Sequence, residues 1–410
     1  MNKLYPIRFK AEPRERVWGG NYLVKTLKKE FEEDPDKGGL ERIEEKKIGE
    51  SWEIWSLYGS GSVAKNGFLA DNPIDDIIET YMGDFMGEEL FQYYHGNFPL
   101  MVKILDIRDR LSVQLHPDDK TAFEREDSYG KADFWYIMEA DPDSEIYMGF
   151  NREITPQELY DRAKNGRLQE VLNIIKPKKG DCFYIEPGCV HSAGKGVVIA
   201  EITESSDVTY RIYDWGREND PKTARKMHLN EAIDIINYSK YDPSRFLKQE
   251  VKESMLVADT EYFMIKTIKL EREISIFPLL TNSFIIYLCT QGAADFKMHN
   301  GEIYSIKAGE SIVVPAGMED FLLIPQQKET FLIEAYMPPV PEEEDGYINE
   351  CIHEDYHHHK EGDCNCSDSH NGNNSHTHCN CGDDCDCHEE HDCGDDCDCR
   401  EEGKSKRHHS

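Results

Sequence analysis

The feature that most constrains the fold is a long series of short apolar segments separated by turn residues. FPLMVKILDI, LSVQLH, FWYIME, DCFYIEPG, GVVIAEIT and VTYRIYDW follow one another between residues 98 and 215, and a second block of such segments lies between about residues 261 and 337. They are rich in Val, Ile, Tyr, Phe and Trp, and turn-forming residues stand between them. This pattern is typical of strands in a β-sandwich or β-barrel. The sequence therefore predicts a mainly β protein.

Two stretches interrupt the β pattern with helical spacing. One covers about residues 155–176, where Thr155 suits the N-cap and Pro156 suits the first turn. The other, NPIDDIIETYMGDFMGEELFQYY, begins at Asn72, and its apolar face is expected to pack on a sheet. Residues around 240–254 have the composition of a connector between the two β-rich blocks.

A local pattern occurs once in each block. Gly180 is followed by DCFYIEPGCVH, which ends at His191, and Gly309 is followed by ESIVVPAGMED, which ends at Asp320. Each indicates a strand, a Pro/Gly turn and a polar residue at the start of the next strand. The second resembles the cupin motif G-x5-P-x-G-x2-H in all but its last residue. This resemblance implies two jelly-roll barrels: a metal-binding catalytic domain over residues 1–240 and a second barrel over 255–340, expected to be metal-free because Asp320 replaces the histidine.

Charge is unevenly distributed along the chain. From Glu342 onward there are 21 acidic and 5 basic side chains, a charge of −16, which leaves −17 of the total −33 for residues 1–341. This acidity argues against a nucleic-acid partner, because binding a duplex requires a basic face. An anionic substrate would need a local basic pocket. We find no leader and no run long enough for a membrane helix, so we expect a cytoplasmic protein with no membrane partner.

The C-terminal tail, residues 342–410, contains ten of the 13 cysteines and 11 of the 16 histidines. A near-exact repeat, CGDDCDC-x-EE, starts at Cys381 and again at Cys393. The tail has too few apolar residues to form a core, so it is predicted to be disordered. Its thiols, mostly in Cys-x-Cys pairs, are soft ligands that bind zinc, cadmium or copper(I). We therefore expect a dynamic buffer of soft metals rather than one defined site.

A second candidate set of metal ligands, less conspicuous than the cysteines of the tail, lies in the first block. Gln114 and His116 are two apart on a predicted strand, so their side chains point the same way. His191 ends the PGCVHS turn, and Asp133 precedes the strong strand FWYIME. Two imidazoles, a carboxylate and an amide oxygen suit zinc or a similar divalent ion with a position open to substrate or water.

Several motifs together resemble the class I mannose-6-phosphate isomerases in their short bacterial form. VWGG, GESWEIW, FPLMVKILDIRDRLSVQLHPDD, YGKADFWYIMEADP, PGCVHS and IAEITESSDVTYRIYDWGR occur in the family's order from Trp18 to Arg217. The resemblance implies a zinc-dependent aldose–ketose isomerase that interconverts mannose 6-phosphate and fructose 6-phosphate, one zinc ion per site, and a phosphorylated hexose as partner. It leaves the oligomeric state open between monomer and homodimer.

The resemblance also assigns roles residue by residue. The family's metal ligands fall on Gln114, His116, Asp133 and His191. At the third of these positions the family usually has glutamate, and the shorter aspartate leaves three alternatives: a backbone that moves inward, weaker metal binding, or a bridging water. The family's active-site arginine falls on Arg211, and Glu201 and Lys131 fall in its pocket-forming segments.

These residue types suit isomerisation, which passes through an enediol. Glu201 and a water on the metal are alternative bases, and Arg211 and Lys131 are the local candidates for the phosphate, with Arg217 and Lys195 as further alternatives. Trp18 is expected to pack in the core or to line the sugar pocket. His95, His228 and His299 match no motif and are predicted to be surface or turn residues.

Two functions from different classes therefore remain. One is an isomerase whose tail is an accessory metal reservoir. The other is a non-catalytic cupin that mainly buffers metal through its tail. A decayed enzyme should have lost Gln114, His116, His191 or Arg211, and all four are present, which favours the isomerase.

Overall fold

Antiparallel β-strands form most of the part of the chain that the structure describes. The computed structural model describes residues 3–31, 46–242, 246–247 and 253–341, and these belong to one compact unit, Met1–Tyr356. The predicted tail lies outside the described residues. Among the described ranges, no helix has both the length and the apolar character that a membrane crossing requires.

The first β-rich block contains fourteen described strands. They are β1 Glu12–Gly20, β2 Ile48–Ile54, β3 Ser56–Leu57, β4 Ser60–Gly61, β5 Leu100–Ile107, β6 Val113–Leu115, β7 Asp133–Ala140, β8 Ile146–Phe150, β9 Leu172–Ile175, β10 Cys182–Ile185, β11 His191–Ala193, β12 Val197–Glu204, β13 Tyr210–Tyr213 and β14 Phe246–Leu247.

The second block contains nine described strands. They are β15 Ser254–Asp259, β16 Met264–Leu270, β17 Ile274–Ile276, β18 Ile285–Gln291, β19 Ala293–Lys297, β20 Ile303–Lys307, β21 Ser311–Val314, β22 Phe321–Pro325 and β23 Thr330–Tyr336.

Helices in the described ranges are short. The α-helices are α1 Tyr22–Lys25, α2 Ile74–Tyr81, α3 Gly83–Met86, α4 Glu88–Tyr93, α5 Asp119–Glu126, α6 Pro156–Lys164 and α7 Leu229–Ala232. Single 3-10 turns occur at Gly67–Leu69, Leu168–Glu170, Arg217–Asn219 and Pro278–Leu280.

The strands form four main antiparallel sheets. We call β13-β6-β11-β8-β9 the site sheet, β1-β2-β5-β12-β7-β10-β14 the central sheet, β15-β16-β23-β18-β21 the third sheet and β17-β22-β19-β20 the outer sheet. Strands β3 and β4 pair separately as a small hairpin. The mainly β prediction is confirmed, whereas the assignment of two separate barrels stays a prediction.

Hydrophobic clusters pack each sheet on the next, from the site sheet through the central and third sheets to the outer sheet. One cluster packs the site sheet on one face of the central sheet, and it includes Trp135 and Ile199. Another packs the opposite face of the central sheet on the third sheet, through side chains such as Ala200 and Ile286. A further cluster joins the third and outer sheets. The central sheet is thus covered on both faces, which explains why its strands are nearly continuous apolar runs.

Both helical stretches form, but one is shorter than predicted. The predicted cap of α6 is confirmed, because Thr155 Oγ1 accepts a hydrogen bond from the Glu158 N–H at 3.2 Å. The helix nevertheless ends at Lys164 rather than continuing to about residue 176. Gly166 turns the chain with φ of +67°, a conformation that glycine adopts without steric cost. Residues Leu172–Ile175 then form β9, which pairs with β8 at the sheet edge.

The second helical stretch is divided into α2, α3 and α4. Ile74, Ile77 and Ile78 of α2 are buried in the cluster that covers the central sheet, as predicted for its apolar face. The strand–turn–strand patterns are also confirmed: β10 leads through a turn to His191 at the start of β11, and β21 leads to Asp320 just before β22.

Candidate active site

Three polar residues form a row across the site sheet. Gln114 of β6 is the register partner of His191 on one side and of Arg211 on the other. The flanking apolar residues Val113 and Leu115 pack with α6 and α7 on the outer face of the sheet. Because successive side chains of a strand point to opposite faces, Gln114 faces the central sheet. The same alternation places Arg211 between the buried residues Tyr210 and Ile212.

A second polar row crosses the central sheet. Glu201 of β12 is the register partner of Lys103 on β5 and of Trp135 on β7. Trp135 Nε1 donates to Glu201 Oε1 at 2.9 Å, and Lys103 Nζ lies 3.8 Å from Glu201 Oε2. These residues alternate with apolar side chains that pack on the other face of the sheet. The two facing sheets therefore enclose a polar space between them.

The candidate metal ligands lie at one end of this space. His116, Asp133 and His191 bring one ligand atom each to within 4.8 Å of one another, and all three are buried. His116 Nε2 is 3.3 Å and His191 Nε2 is 3.9 Å from Asp133 Oδ2. Gln114, the fourth predicted ligand, has its Nε2 3.5 Å from His191 Nε2. All four predicted ligands are thus brought together.

Backbone carbonyl groups orient both imidazoles. His116 Nδ1 donates to the Val208 oxygen at 2.7 Å, and His191 Nδ1 donates to the Cys189 oxygen at 3.0 Å. Each ring then presents an unprotonated Nε2 to the group, which is the usual arrangement of metal-ligating histidines. Within the described residues, the buried atom Asp133 Oδ2 accepts no hydrogen bond. The donor set and this unsatisfied oxygen fit a divalent metal ion.

Electrostatics keep the ligand atoms in the protonation states that a metal needs. Burial alone would raise the pKa of Asp133, but the neighbouring Lys131 ammonium and His116 imidazole hold it well below its usual value. Burial and the adjacent His116 lower the pKa of His191 to about 3. Asp133 is therefore ionised and His191 neutral at pH 7, as metal coordination requires.

A cavity of about 540 Å³ opens beside this group. Five cationic side chains and four carboxylates line it, together with His116, Gln114 and Trp18. The cations are Arg16, Lys103, Lys131, Arg211 and Arg225, and the carboxylates are Glu50, Glu126, Glu201 and Asp207. A chain of net charge −33 thus has a cavity in which positive groups slightly outnumber negative ones. The alternative placement of Trp18 at the pocket is confirmed.

The three predicted catalytic residues all line the cavity. Arg211 is held by its own Nε, which donates to Ser112 Oγ at 3.1 Å, and by Nη1, which donates to the Lys226 oxygen at 2.8 Å. Burial and the nearby Arg225 lower its pKa to about 10, so Arg211 is still protonated at neutral pH. The Lys131 ammonium donates to Asp133 Oδ1. Arg217 and Lys195, the alternative phosphate ligands, are not among the described residues that line the cavity.

Of the lysine, arginine and histidine residues that line the cavity, four were not predicted as site residues from the sequence. Lys103 stands in the apolar run LMVKILDI, and a lysine inside such a run is a signal because lysine is seldom buried without a partner. Arg16 and Arg225 belong to no ligand motif. His228 was predicted to be a surface or turn residue, and that prediction is wrong: it is half-buried, stacks on Tyr210 and lines the cavity. Contacts between distant segments place it there.

Known proteins that are similar to this chain identify its family. The family model described as phosphomannose isomerase type I, catalytic domain, matches residues 7–160. A mannose-6-phosphate isomerase of Streptococcus mutans is 31% identical over 314 residues, which cover 76% of this chain and 92% of that protein. The crystal structure of the mannose 6-phosphate isomerase from Bacillus subtilis aligns with a TM-score of 0.68 at 25% identity, covering 82% of this chain and 100% of that one.

A further solved structure is that of a mannose 6-phosphate isomerase bound with zinc and yttrium. It aligns with a TM-score of 0.62 at 14% identity and covers 82% of this chain and 100% of its own, so it bears on the fold alone. The identity and coverage of the Streptococcus mutans relative are decisive for the family. The chain belongs to the type I mannose-6-phosphate isomerases.

Proposed function

We propose that this protein interconverts D-mannose 6-phosphate and D-fructose 6-phosphate. The observation that carries the proposal is one cavity in which the ligand group of His116, Asp133 and His191 meets Arg211 and the Lys103–Glu201 pair. This arrangement provides a Lewis-acid site, a fixed cation and a carboxylate, which are the groups that an enediol reaction needs. The alternative function, a non-catalytic cupin, does not require the polar row of Lys103, Glu201 and Trp135 on the central sheet.

We propose zinc as the bound metal, one ion per site. His116, His191, Asp133 and Gln114 would hold it, and two imidazoles with a carboxylate are typical of catalytic zinc sites. When bound, the ion supplies Lewis-acid stabilisation of negative charge on the sugar oxygens. Asp133 is one methylene shorter than glutamate, but its carboxylate already lies 3.3 Å from His116 Nε2, so the shorter side chain reaches the group.

Glu201 is our first candidate for the base. Its Oε1 is fixed by the Trp135 N–H, and Lys103 lies beside its Oε2, so the carboxylate has one defined orientation. In the aldose-to-ketose direction the base removes the proton from C2 and delivers it to C1, while the O2 proton moves to O1. A water molecule remains the alternative base. Arg211 would stabilise the negative charge that develops on the sugar oxygens.

The cationic side chains of the cavity supply the phosphate site. Arg225 is fixed in place, because its Nη2 donates to the buried Asp214 at 2.6 Å. An arginine held by protein contacts can bind a phosphate in a defined orientation. Lys131 is bound to Asp133 and is better placed near the metal than at the phosphate.

Isomerase activity of the metal-loaded chain tests the proposal. Conversion of mannose 6-phosphate is followed by the appearance of fructose 6-phosphate, and the expected result is a turnover that needs the divalent ion. Glu201→Gln keeps the hydrogen-bond acceptor for Trp135 but removes the base, so its kcat should fall by about 10²–10⁴-fold. A kcat within threefold of the unmodified protein would assign the base to water instead.

We also propose that the tail binds soft divalent metals and that the protein acts in the cytoplasm. The support is the density of Cys-x-Cys pairs, among them Cys385/Cys387 and Cys397/Cys399, and the free cysteines Cys182 and Cys289 in the described part. Titration with zinc or cadmium should load more than one equivalent on the full chain and one on a chain that ends at Pro341. Equal stoichiometry would contradict the tail's role.

A further inference from the structure

Two reciprocal hydrogen bonds join His228 to Arg211. The His228 N–H donates to the Arg211 oxygen at 2.8 Å, and the Arg211 N–H donates to His228 Nδ1 at 3.1 Å. The same segment binds the guanidinium, since the Lys226 oxygen accepts from Arg211 Nη1 at 2.8 Å. The backbone and side chain of Arg211 are therefore both fixed by the segment from Lys226 to His228.

The hydrogen bond from the Arg211 N–H to Nδ1 determines the protonation of the imidazole. A backbone N–H can only donate, so His228 Nδ1 must be the acceptor, and the ring is neutral with its proton on Nε2. The ring stacks on Tyr210 with a centroid separation of 5.9 Å and lines the substrate cavity. A neutral ring here adds a hydrogen-bond donor to the cavity without adding another charge beside Arg211.

The surroundings of the ring also favour the neutral form. Burial, then the positive charges of Lys226 and Arg211, lower the pKa of His228, while Glu231 and Glu126 act in the opposite direction. Tyr210, on the neighbouring strand, faces the ring as a neutral phenol because burial raises its pKa to about 12.

We propose that neutral His228 is a positioning residue for Arg211, and that protonation of Nδ1 releases Arg211 from its working position. Protonation converts the acceptor into a donor that faces the Arg211 N–H, so the hydrogen bond is lost and two donors oppose each other. This inference rests on the proposed isomerase function and adds an acid-sensitive control point to it.

Two substitutions in the full-length, zinc-loaded protein separate positioning from simple packing. His228→Phe keeps a ring against Tyr210 but has no acceptor, so kcat should fall at least about tenfold, as expected for a misplaced catalytic group. In His228→Asn, Oδ1 can replace Nδ1 as acceptor and does not titrate. We expect the kcat of this variant to lie within about threefold of the kcat of the unmodified protein. We also expect the acid limb of its pH–rate profile to lie at lower pH than that of the unmodified protein. His299→Phe, at an exposed site on the outer part of the second block, is the matched control.

Imidazole ¹⁵N chemical shifts test the same proposal without a substitution. The His228 signal should show a proton on Nε2 and an unprotonated Nδ1 at pH 7, and this test is independent of turnover. A proton on Nδ1, equal kcat values for the Phe and Asn variants, or coinciding acid limbs for the Asn variant and the unmodified protein would each overturn the proposal. Absence of isomerase activity in the unmodified protein would overturn the proposed function instead.

Discussion

Gln114 and His191 are direct cross-strand partners, and Gln114 Nε2 lies 3.5 Å from His191 Nε2. On its other side, Gln114 Oε1 accepts from Ser112 Oγ at 2.9 Å. Rotation of the amide by 180° exchanges these two atoms, and it would direct Oε1 to the metal-ligand group while Nε2 donates to Ser112. The strand register thus places the candidate fourth ligand next to His191, and no movement of the backbone is needed.

Replacement of His116 should empty the metal site. In His116→Ala, the group loses one of its two imidazoles, and Asp133, His191 and Gln114 alone hold a divalent ion poorly. We expect the metal content of a chain that ends at Pro341 to fall from one equivalent to near zero, with loss of isomerase activity. Elemental analysis after dialysis measures this, with exposed His299→Ala as control. Retention of one equivalent would show that the ligand assignment is wrong.

Lengthening the acidic ligand should preserve function. Asp133→Glu restores the side chain that the family usually has at this position, and the Lys131 ammonium that now binds Asp133 can rearrange with it. We expect activity within a few-fold of the unmodified protein and metal binding that is equal or tighter, measured by competition with a chelator. Complete loss of activity would mean that this pocket is built around the shorter carboxylate.

Removal of the Lys103 charge should impair both stability and catalysis. Its side chain is only 4% exposed and lies near Glu201 and Asp207, whose charges raise its pKa although burial opposes this. Lys103→Met leaves the buried Glu201 carboxylate without its cation, which typically costs about 3–5 kcal/mol of stability. We expect that loss in chemical denaturation and a fall in kcat/KM of at least about tenfold.

A second ion pair offers the matched control for Lys103. Lys266 Nζ lies 2.9 Å from Glu334 Oε1 on the third sheet, away from the cavity. Lys266→Met should reduce stability yet leave kcat/KM within about twofold. If both lysine variants lost activity in proportion to their stability, Lys103 would have no specific part in the reaction.

Stability should depend on pH through a buried carboxyl group, Glu204. Its Oε1 accepts the Ala132 N–H at 2.7 Å, and burial, with the charge of Asp119, raises its pKa well above the usual value. As pH rises, the folded protein therefore keeps this proton after the unfolded chain has released it. The contribution of protonated Glu204 to the free energy of unfolding is fully present below about pH 4.3 and declines as pH rises.

Glu204→Gln removes this dependence because the amide keeps the acceptor and does not ionise. One unit of pKa difference corresponds to about 1.4 kcal/mol, so we expect a gain in the free energy of unfolding on the order of 1 kcal/mol at pH 8 that disappears near pH 4. Thermal unfolding across this pH range measures the difference, with exposed Glu139→Gln as control. A gain that is the same at every pH would be inconsistent with an ionisable Glu204.

The sequence predicts most of the ligand set because it is local. Gln114 and His116 follow the period of a strand, and His191 follows a recognisable turn, so their direction can be derived before the fold is known. Their approach to Asp133 depends on the packing of two sheets, so the sequence suggests it from residue type and from the family resemblance but not from spacing. The end of α6 at Lys164 was missed because the apolar residues of β9 also fit a helical period.

The residues that were missed depend on long-range contacts. The burial of the Lys103 ammonium is explained by two carboxylates on other segments, Glu201 and Asp207. No spacing rule in the sequence connects Lys103 to them. His228 contacts Arg211 across 17 residues of chain through hydrogen bonds to the Arg211 backbone N–H and oxygen, which any residue type at position 211 would offer. Such contacts are set by tertiary packing rather than by local propensity.

The most direct test of the central claim is isomerase activity of the chain that ends at Pro341, measured with and without a chelator. We expect this chain, loaded with zinc, to convert mannose 6-phosphate to fructose 6-phosphate. Chelation should abolish the conversion, and one equivalent of zinc should restore it. Absence of activity in the zinc-loaded chain, or activity that chelation leaves unchanged, would contradict a catalytic metal site built from His116, Asp133 and His191.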